Sequence, residues 1–157
     1  MPSSVYIETT IVSYLTARRS GDLVVRAHQQ ITRRWWRTRR SDFDLFISPL
    51  VLQEAGDGDT KAAGRRLAAL REVPILAVVP GALAIAHALR KRGPIRGRAE
   101  ADAMHIAIAA AHGVEYLLTW NCTHIANAQM RPDIERLCRE EGFEPPILCT
   151  PEELLGD

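Results

Sequence analysis

The sequence predicts an α/β protein in which a parallel sheet is covered by helices on both faces. Short runs of β-forming residues alternate with helical patterns along the 157-residue chain, and this alternation is typical of parallel sheets. Residues 99–111 are apolar on nearly every side of a helical wheel, as expected of a buried helix. Neither an internal repeat nor a linker divides the sequence, so we expect one domain over residues 1–157.

Five short runs have the composition of strands. They are rich in Val, Ile, Leu, Phe and Tyr and occupy residues 5–7, 44–48, 75–79, 116–119 and 147–149. Helical patterns fill most of the intervals, at residues 11–15, 23–39, 50–55, 61–70, 81–92, 98–111 and 126–141. Asp22 and Pro49 are suited to the first positions of their helices. A loop over residues 93–97 should lead into the central helix.

The helix over residues 23–39 separates its apolar and basic residues. Val24, Ala27, Ile31 and Trp35 are predicted to form its inner stripe. The opposite stripe consists of Arg26, Arg33, Arg37 and Arg40. Arg side chains on one face can bind phosphates through their planar guanidinium groups. They can also bind the acidic side chains of a partner, or simply be solvated.

The charge distribution is more informative than the net charge of +1. Residues 18–40 contain eight Arg and one acid, whereas residues 133–157 contain eight acids and two Arg. This asymmetry indicates either an anionic partner for the first region or self-association. We expect a cytoplasmic protein, because the sequence shows no signal peptide and no apolar run long enough to cross a membrane. Three cysteines without a CxxC pair predict free thiols.

Four polar residues are predicted to meet at the carboxyl edge of the sheet. Glu8 follows the first strand, and Asn121 follows the strand over residues 116–119. Glu54 lies in the helix that follows the strand over residues 44–48, and Asp102 lies in the helix that precedes the strand over residues 116–119. Neighbouring carboxylates resist ionising together unless a cation is present, and Mg²⁺ and Mn²⁺ prefer oxygen ligands. Such a site would hydrolyse phosphodiesters.

Two histidines lie near these acids in the sequence. His105 is one helical turn from Asp102 and could orient a carboxylate, bind substrate or pack in the interior. Cys122-Thr123-His124 resembles half of a zinc site but has no second pair of ligands, so we do not expect zinc there.

The chain resembles the PIN-domain family, and within it the VapC-like toxins of toxin–antitoxin pairs. The matching segments are VYIETTIVSYL, SPLVLQEA, AEADAMHIAIAAAHGVEYLLTWN and the following HIAN. Their order and spacing are more specific than any one of them alone. The resemblance implies a Rossmann-like three-layer α/β/α sandwich with a central parallel sheet. It also implies an endoribonuclease dependent on Mg²⁺ or Mn²⁺, often a homodimer, and inhibited by a cognate antitoxin protein.

Carried over to this sequence, the family's acidic residues correspond to Glu8, Glu54, Asp102 and Asn121. Thr119 corresponds to the Thr before the fourth acid, and Thr9 to the Thr or Ser after the first. Two positions depart from the pattern, because the first and fourth acids are normally Asp. Glu8 is one methylene longer, and Asn121 brings no negative charge. The alternative is a catalytically impaired member that binds nucleic acid or protein as a regulatory module.

Overall fold

The computed structural model describes residues 1–95 and 99–156. Within them, four parallel strands form one sheet in the order β2–β1–β3–β4. The strands are β1 (Ser3–Ile7), β2 (Phe43–Phe46), β3 (Tyr116–Leu118) and β4 (Ile147–Cys149). The predicted parallel sheet is therefore confirmed.

Helices cover both faces of this sheet and complete a three-layer sandwich. They are α1 (Thr9–Thr16), α2 (Leu23–Thr38), α3 (Pro49–Ala55), α4 (Thr60–Ala69), α5 (Pro80–Lys91), α6 (Glu100–Ala111) and α7 (Arg131–Glu140). Helix α5 packs against α6 and α7, whereas α1 packs against α2, α3 and α4. Short 3₁₀ turns at Arg40–Asp42 and Pro151–Leu154 follow α2 and β4.

The register of the strands fixes which residues share the carboxyl edge. Ile7 of β1 lies beside Leu118 of β3, and the Glu8 N–H donates to the Leu118 carbonyl at 3.1 Å. The Thr119 N–H donates to the Cys149 carbonyl at 3.0 Å. Because these bonds continue the ladders for one residue, Glu8 and Thr119 are held side by side where the strands end.

Helix α6 is the buried helix that the sequence predicts. Seven of its twelve residues are buried, His105 among them. A turn at Gly113 joins α6 to β3, and its φ of 67° is a left-handed conformation that favours glycine. The predicted loop over residues 93–97 and the predicted helix start at Arg98 lie partly outside the described residues.

The predicted strand over residues 75–79 is wrong. Ile75 makes only an isolated bridge to Ile47, held by two hydrogen bonds between residues 74–76 and Ile47. Pro74 and Pro80 bound the segment and lack the N–H donors that a longer ladder needs. Ile75 and Val78 are also exposed, and Leu76 and Val79 pack against the core only in part.

The predicted inner stripe of α2 is also partly wrong. Val24 is 63% exposed, and Ala27 is exposed as well. Gln29 and Thr32 are buried in addition to Trp35. The first turn of the helix is exposed, so Val24 has no neighbour to pack against. Gln29 and Thr32 are buried at low cost because hydrogen bonds satisfy their side chains.

The structure also bears on two predictions from composition. None of the helices formed by the described residues is long and apolar enough to cross a membrane. Cys122, Cys138 and Cys149 are free thiols, as predicted. Burial raises the pKa of Cys138 and of Cys149 to about 12, so these two thiols stay protonated and packed in the interior.

Candidate metal centre

Three side chains converge at the carboxyl edge of the sheet. One potential ligand atom from each of Glu8, Glu54 and His105 lies within 4.8 Å of the other two. Glu8 follows β1, Glu54 is near the end of α3, and His105 is in α6. The edge therefore gathers side chains that are far apart in the sequence. Of the four predicted members, Glu8 and Glu54 belong to this group, whereas Asp102 and Asn121 do not and His105 takes part instead.

Glu8 is 4% exposed, and three donors hold one of its carboxylate oxygens. The Thr119 hydroxyl donates to Oε1 at 2.6 Å, and the Thr10 hydroxyl donates to the same oxygen. The Thr10 backbone N–H adds a third bond at 3.1 Å, which makes Glu8 the N-cap of α1. No donor among the described residues reaches Oε2.

Glu54 is held in a similar way from two sides. Its Oε1 accepts the Thr9 hydroxyl and the His105 Nε2–H, both at 2.6 Å. Burial raises the pKa of Glu54, but the hydrogen bond and electrostatic attraction of His105, with the bond from Thr9, outweigh it. The pKa of this carboxyl is therefore below its ordinary value of 4.5, and Glu54 is ionised at neutral pH.

His105 connects Glu54 to a buried chain of hydroxyl groups. Its Nδ1 lies 2.7 Å from the Tyr6 hydroxyl, which lies 2.7 Å from the Ser48 hydroxyl. Because burial strongly raises the pKa of Tyr6, its phenol remains protonated. The ionised Glu54 carboxylate can only accept, so Nε2 of His105 carries a proton and donates to Glu54.

Asp102 forms a second pair of a carboxylate and an imidazole. It lies one turn before His105 on α6, and its Oδ2 is 2.9 Å from Nδ1 of His124. The side chain of Asp102 is 19% exposed and that of His124 is 40% exposed. Asp102 is not a member of the group within 4.8 Å. It is joined instead, through His124, to the loop after β3.

The three acids share one feature. In each carboxylate one oxygen accepts hydrogen bonds from the protein, while the other has no donor among residues 1–95 and 99–156. A carboxylate oxygen without a hydrogen-bond donor is a suitable ligand for a hard divalent cation, and Mg²⁺ and Mn²⁺ commonly take a few such oxygens plus waters. The chemistry of these donors therefore fits such an ion.

Comparison with known proteins agrees with this fold. The profile of the PIN domain family matches residues 5–121, a span that includes Glu8, Glu54, Asp102 and Asn121. The chain belongs to the PIN domain family. A comparison of the sequence with curated proteins found no match.

Two solved structures share the fold at low sequence identity. VapC20 of Mycobacterium tuberculosis, described as a toxin that cleaves the sarcin–ricin loop, is 19% identical, with a TM-score of 0.54 over 72% of this chain and 86% of its own. VapBC2 of Rickettsia felis, bound to a DNA fragment from its promoter, is 15% identical, with a TM-score of 0.59 over 94% and 98%.

Asn121 of this PIN domain is engaged in a turn. Its Oδ1 accepts the backbone N–H of His124 at 3.0 Å, and its own N–H donates to the Thr119 hydroxyl at 2.9 Å. Trp120, between them, donates its backbone N–H to the Thr10 hydroxyl and its indole N–H to Thr32. Its ring stacks on His28 at 3.9 Å between ring centroids. These contacts fix the loop against α1 and α2.

The four Arg residues predicted to bind nucleic acid have different surroundings. Arg33 donates to the Leu15 and Ala17 carbonyls and so satisfies the end of α1. Arg40 lies beyond the end of α2, in the 3₁₀ turn at Arg40–Asp42, and its guanidinium lies 4.3 Å from the centre of the Trp36 ring. The guanidinium groups of Arg26 and Arg37 have no hydrogen bond or ion pair with any described residue, which leaves them available to an anionic partner.

Sequence reasoning missed the roles of His124 and Tyr6. His124 was considered only as half of a zinc site, although its position three residues after Asn121 is typical of an Asx-capped turn. That spacing could have indicated that His124 folds back toward the sheet edge. Tyr6 gave no signal, because a buried strand residue reveals its polar partners only once the fold is known.

Proposed function

We propose that this PIN domain is an endoribonuclease that depends on Mg²⁺ or Mn²⁺. Glu8, Glu54 and Asp102 are the proposed ligands of the ion. Thr119, Thr9 and His105 orient the first two of these acids through the hydrogen bonds described above. The observation that carries the proposal is the shared pattern in which each acid has one oxygen bonded to the protein and one oxygen without a protein donor.

The protein side of this chemistry follows from the contacts. When bound, the ion would supply a Lewis acid that activates water and polarises a phosphodiester. Thr119 and Thr10 fix Glu8, and Thr9 and His105 fix Glu54, so neither carboxylate has to reorganise when substrate arrives. Asp102 would complete the ligand set from the first turn of α6, where His124 holds it. Substrate would reach the ion from the side of Glu54 and Asp102, which are partly exposed, because His105 and Tyr6 are buried.

The identity of the substrate and partners is proposed from the resemblance to VapC-like toxins. VapC20 is described as a toxin that cleaves the sarcin–ricin loop, and VapBC2 is described as bound to a DNA fragment from its promoter. RNA is therefore the proposed substrate, and a cognate antitoxin protein is the proposed inhibitor. A homodimer in the cytoplasm is the assembly expected for such a toxin.

Cleavage of RNA in the presence of Mn²⁺ tests the proposed activity. We expect the Asp102→Asn variant to lose about 100-fold or more in rate, because metal activation contributes several kcal/mol. Asp133→Asn, which changes an exposed acid on α7, is the matched control and should retain the wild-type rate. An unchanged rate in Asp102→Asn would reject this site. Ribosomal and transfer RNA are the substrates to be tested, and sequencing of the new 5′ ends identifies the cleavage sites.

A regulatory binding module is the second candidate, and the neutral side chain of Asn121 favours it. Calorimetric titration with Mn²⁺ separates the two candidates. The ribonuclease requires that the wild-type protein bind Mn²⁺ and that Asp102→Asn weaken the binding. A wild-type protein that binds RNA but shows no affinity for Mn²⁺ would support the binding module instead.

The basic stripe of α2 is proposed to contact the RNA backbone. Arg33 and Arg40 have side-chain contacts, whereas the guanidinium groups of Arg26 and Arg37 have no hydrogen bond, ion pair or ring contact with a described residue. Reversal of these two charges therefore tests the contact with least damage to the fold. We expect Arg26→Glu with Arg37→Glu to weaken RNA binding and to flatten its salt dependence by about 1.4 in log–log slope. Lys61→Glu with Arg65→Glu on α4 is the control. Equal slopes for both double variants would assign the stripe to solvation or to a protein partner.

A further inference from the structure

A continuous path of hydrogen bonds joins the two acids at opposite ends of the site. The Thr119 hydroxyl donates to Glu8 and accepts the Asn121 N–H. Asn121 Oδ1 then accepts the His124 N–H, and the His124 ring contacts Asp102. Residues 119–124 thus form a strap, defined here as the Thr119–His124 loop, which connects the end of β3 with the first turn of α6.

The direction of the last bond follows from its partners. An ionised carboxylate can only accept, so Nδ1 of His124 carries the proton and donates to Oδ2 of Asp102. This is the single donor to Asp102 in the described part of the chain. Without it, no described residue would hold the carboxylate, which could then turn about its side-chain torsions.

The strap also shows what Asn121 does. Its Oδ1 caps the turn that brings His124 back to Asp102, which is a task that an amide oxygen performs as well as a carboxylate oxygen does. The fourth position of the acidic pattern therefore needs no negative charge in order to support Asp102. It needs an oxygen acceptor that fixes the backbone at His124.

We propose that His124 is a positioning residue of the candidate metal centre, that it orients Asp102 through Nδ1–H, and that Asn121 acts through His124 rather than as a ligand of the ion. This inference rests on the proposed metal-dependent function. Partners that orient metal ligands typically change metal affinity by about 10- to 100-fold when they are removed. His124 is exposed enough that its loss should affect the site much more than the fold.

Calorimetric titration with Mn²⁺ on the full chain tests the role of His124. We expect His124→Ala to weaken Mn²⁺ binding by about 10-fold or more, while the thermal midpoint of the metal-free protein stays close to that of the wild type. His124→Asn retains a side-chain N–H donor near the position of Nδ1 and should recover most of the affinity. His112→Ala is the matched control, because His112 is also exposed and its ring contacts the Ala77 carbonyl rather than a carboxylate.

Two changes at position 121 test the path through the strap. Asn121→Ala removes the cap and should weaken Mn²⁺ binding in the wild-type background, but should add nothing once His124 is Ala. Asn121→Asp keeps an oxygen at the cap and should bind Mn²⁺ within about 3-fold of the wild type. Tightening by about 10-fold or more in Asn121→Asp would show that position 121 contributes charge directly to the ion, and would overturn this part of the inference.

The outcomes distinguish this inference from the proposed function. A wild-type protein that binds Mn²⁺ together with a His124→Ala variant that binds it equally well overturns the role of His124 and leaves the ribonuclease proposal standing. Failure of His124→Asn to recover affinity means that the ring acts by some means other than its donor, and this also overturns the inference. A wild-type protein without affinity for Mn²⁺ removes the proposed function and the role of His124 with it.

Discussion

Two pairs of a carboxylate and an imidazole lie at the candidate metal centre, and they differ in burial. His105 is fully buried, and both of its ring nitrogens are bonded, one to Glu54 and one to Tyr6. The side chain of His124 is 40% exposed, and of its two ring nitrogens only Nδ1 has a partner among the described residues, which is Asp102. The difference in burial lies in the imidazoles, because the Glu54 side chain, at 33%, is more exposed than that of Asp102, at 19%.

The difference in burial between the two imidazoles predicts that one pair stabilises the fold and that the other only orients a carboxylate. Breaking the buried pair by removing His105 leaves the Tyr6 hydroxyl without this partner where water cannot replace it, and such a group costs about 1–3 kcal/mol. Breaking the exposed pair costs little, because water takes the place of the lost partner and exposed ion pairs contribute about 0–1 kcal/mol. We therefore infer that the buried pair holds both the core and Glu54, whereas the exposed pair serves the site alone.

The largest expected effect on stability is that of removing His105, compared with removing His124. His105→Ala should lower the free energy of unfolding by about 2–4 kcal/mol, because it leaves a cavity and removes the partner of Tyr6 and Glu54. His124→Ala should lower it by about 0.5 kcal/mol or less. Chemical denaturation of the two variants gives both values. Equal losses in the two variants would contradict the division between a buried structural pair and an exposed orienting pair.

A smaller effect is expected when the ring of His105 is kept and its support is removed. Tyr6→Phe deletes the hydroxyl that joins Ser48 to His105 Nδ1, and should cost about 1–3 kcal/mol of unfolding free energy. Tyr116→Phe is the matched control, since no described residue bonds the Tyr116 hydroxyl, and it should stay within about 0.5 kcal/mol of the wild type. A Tyr6→Phe variant as stable as this control would show that the buried chain of hydroxyls contributes nothing to the fold.

The fold was predictable from the sequence where local pattern and burial agree. Helix α6 is apolar on nearly all sides, so its burial follows from the sequence in any compact arrangement. The segment 75–79 has the composition of a strand, but composition does not reveal that two prolines and exposed surroundings limit it to a single bridge. Val24 fits the apolar stripe of α2, yet the periodicity of the sequence does not reveal that Leu23 and Val24, at the start of this helix, are exposed.

The candidate site was predictable as a set of positions but not as a network. The ends of parallel strands share an edge, so the proximity of Glu8 to the residues after β3 followed from topology. The role of Asn121 as a cap and the contact of His124 with Asp102 depend on the path of a loop, which has no periodic signature. The contact between Tyr6 and His105 joins residues 99 positions apart and required the register of the sheet.

The smallest expected effect is the dependence of stability on acid, and it tests the buried pair through Glu54. The folded-state pKa of Glu54 lies below its ordinary value of 4.5. Its contribution to stability is therefore present above that ordinary value and is lost as the pH falls through the lower, folded value. In His105→Ala, burial acts against ionisation with only Thr9 opposing it, so the pKa of Glu54 should rise and this contribution should shrink or reverse.

The gap in unfolding free energy between the wild type and His105→Ala should consequently narrow as the pH falls from about 5 to about 3, a window that spans the ordinary carboxyl pKa. Denaturation at several pH values measures it, and the same pair of proteins carrying Glu54→Gln is the control, because it cannot titrate at position 54. The narrowing should be absent in that control. A gap that narrows equally in both backgrounds would assign the acid dependence to His105 itself or to other carboxyls. In that case the buried pair would hold the core without setting the charge of Glu54.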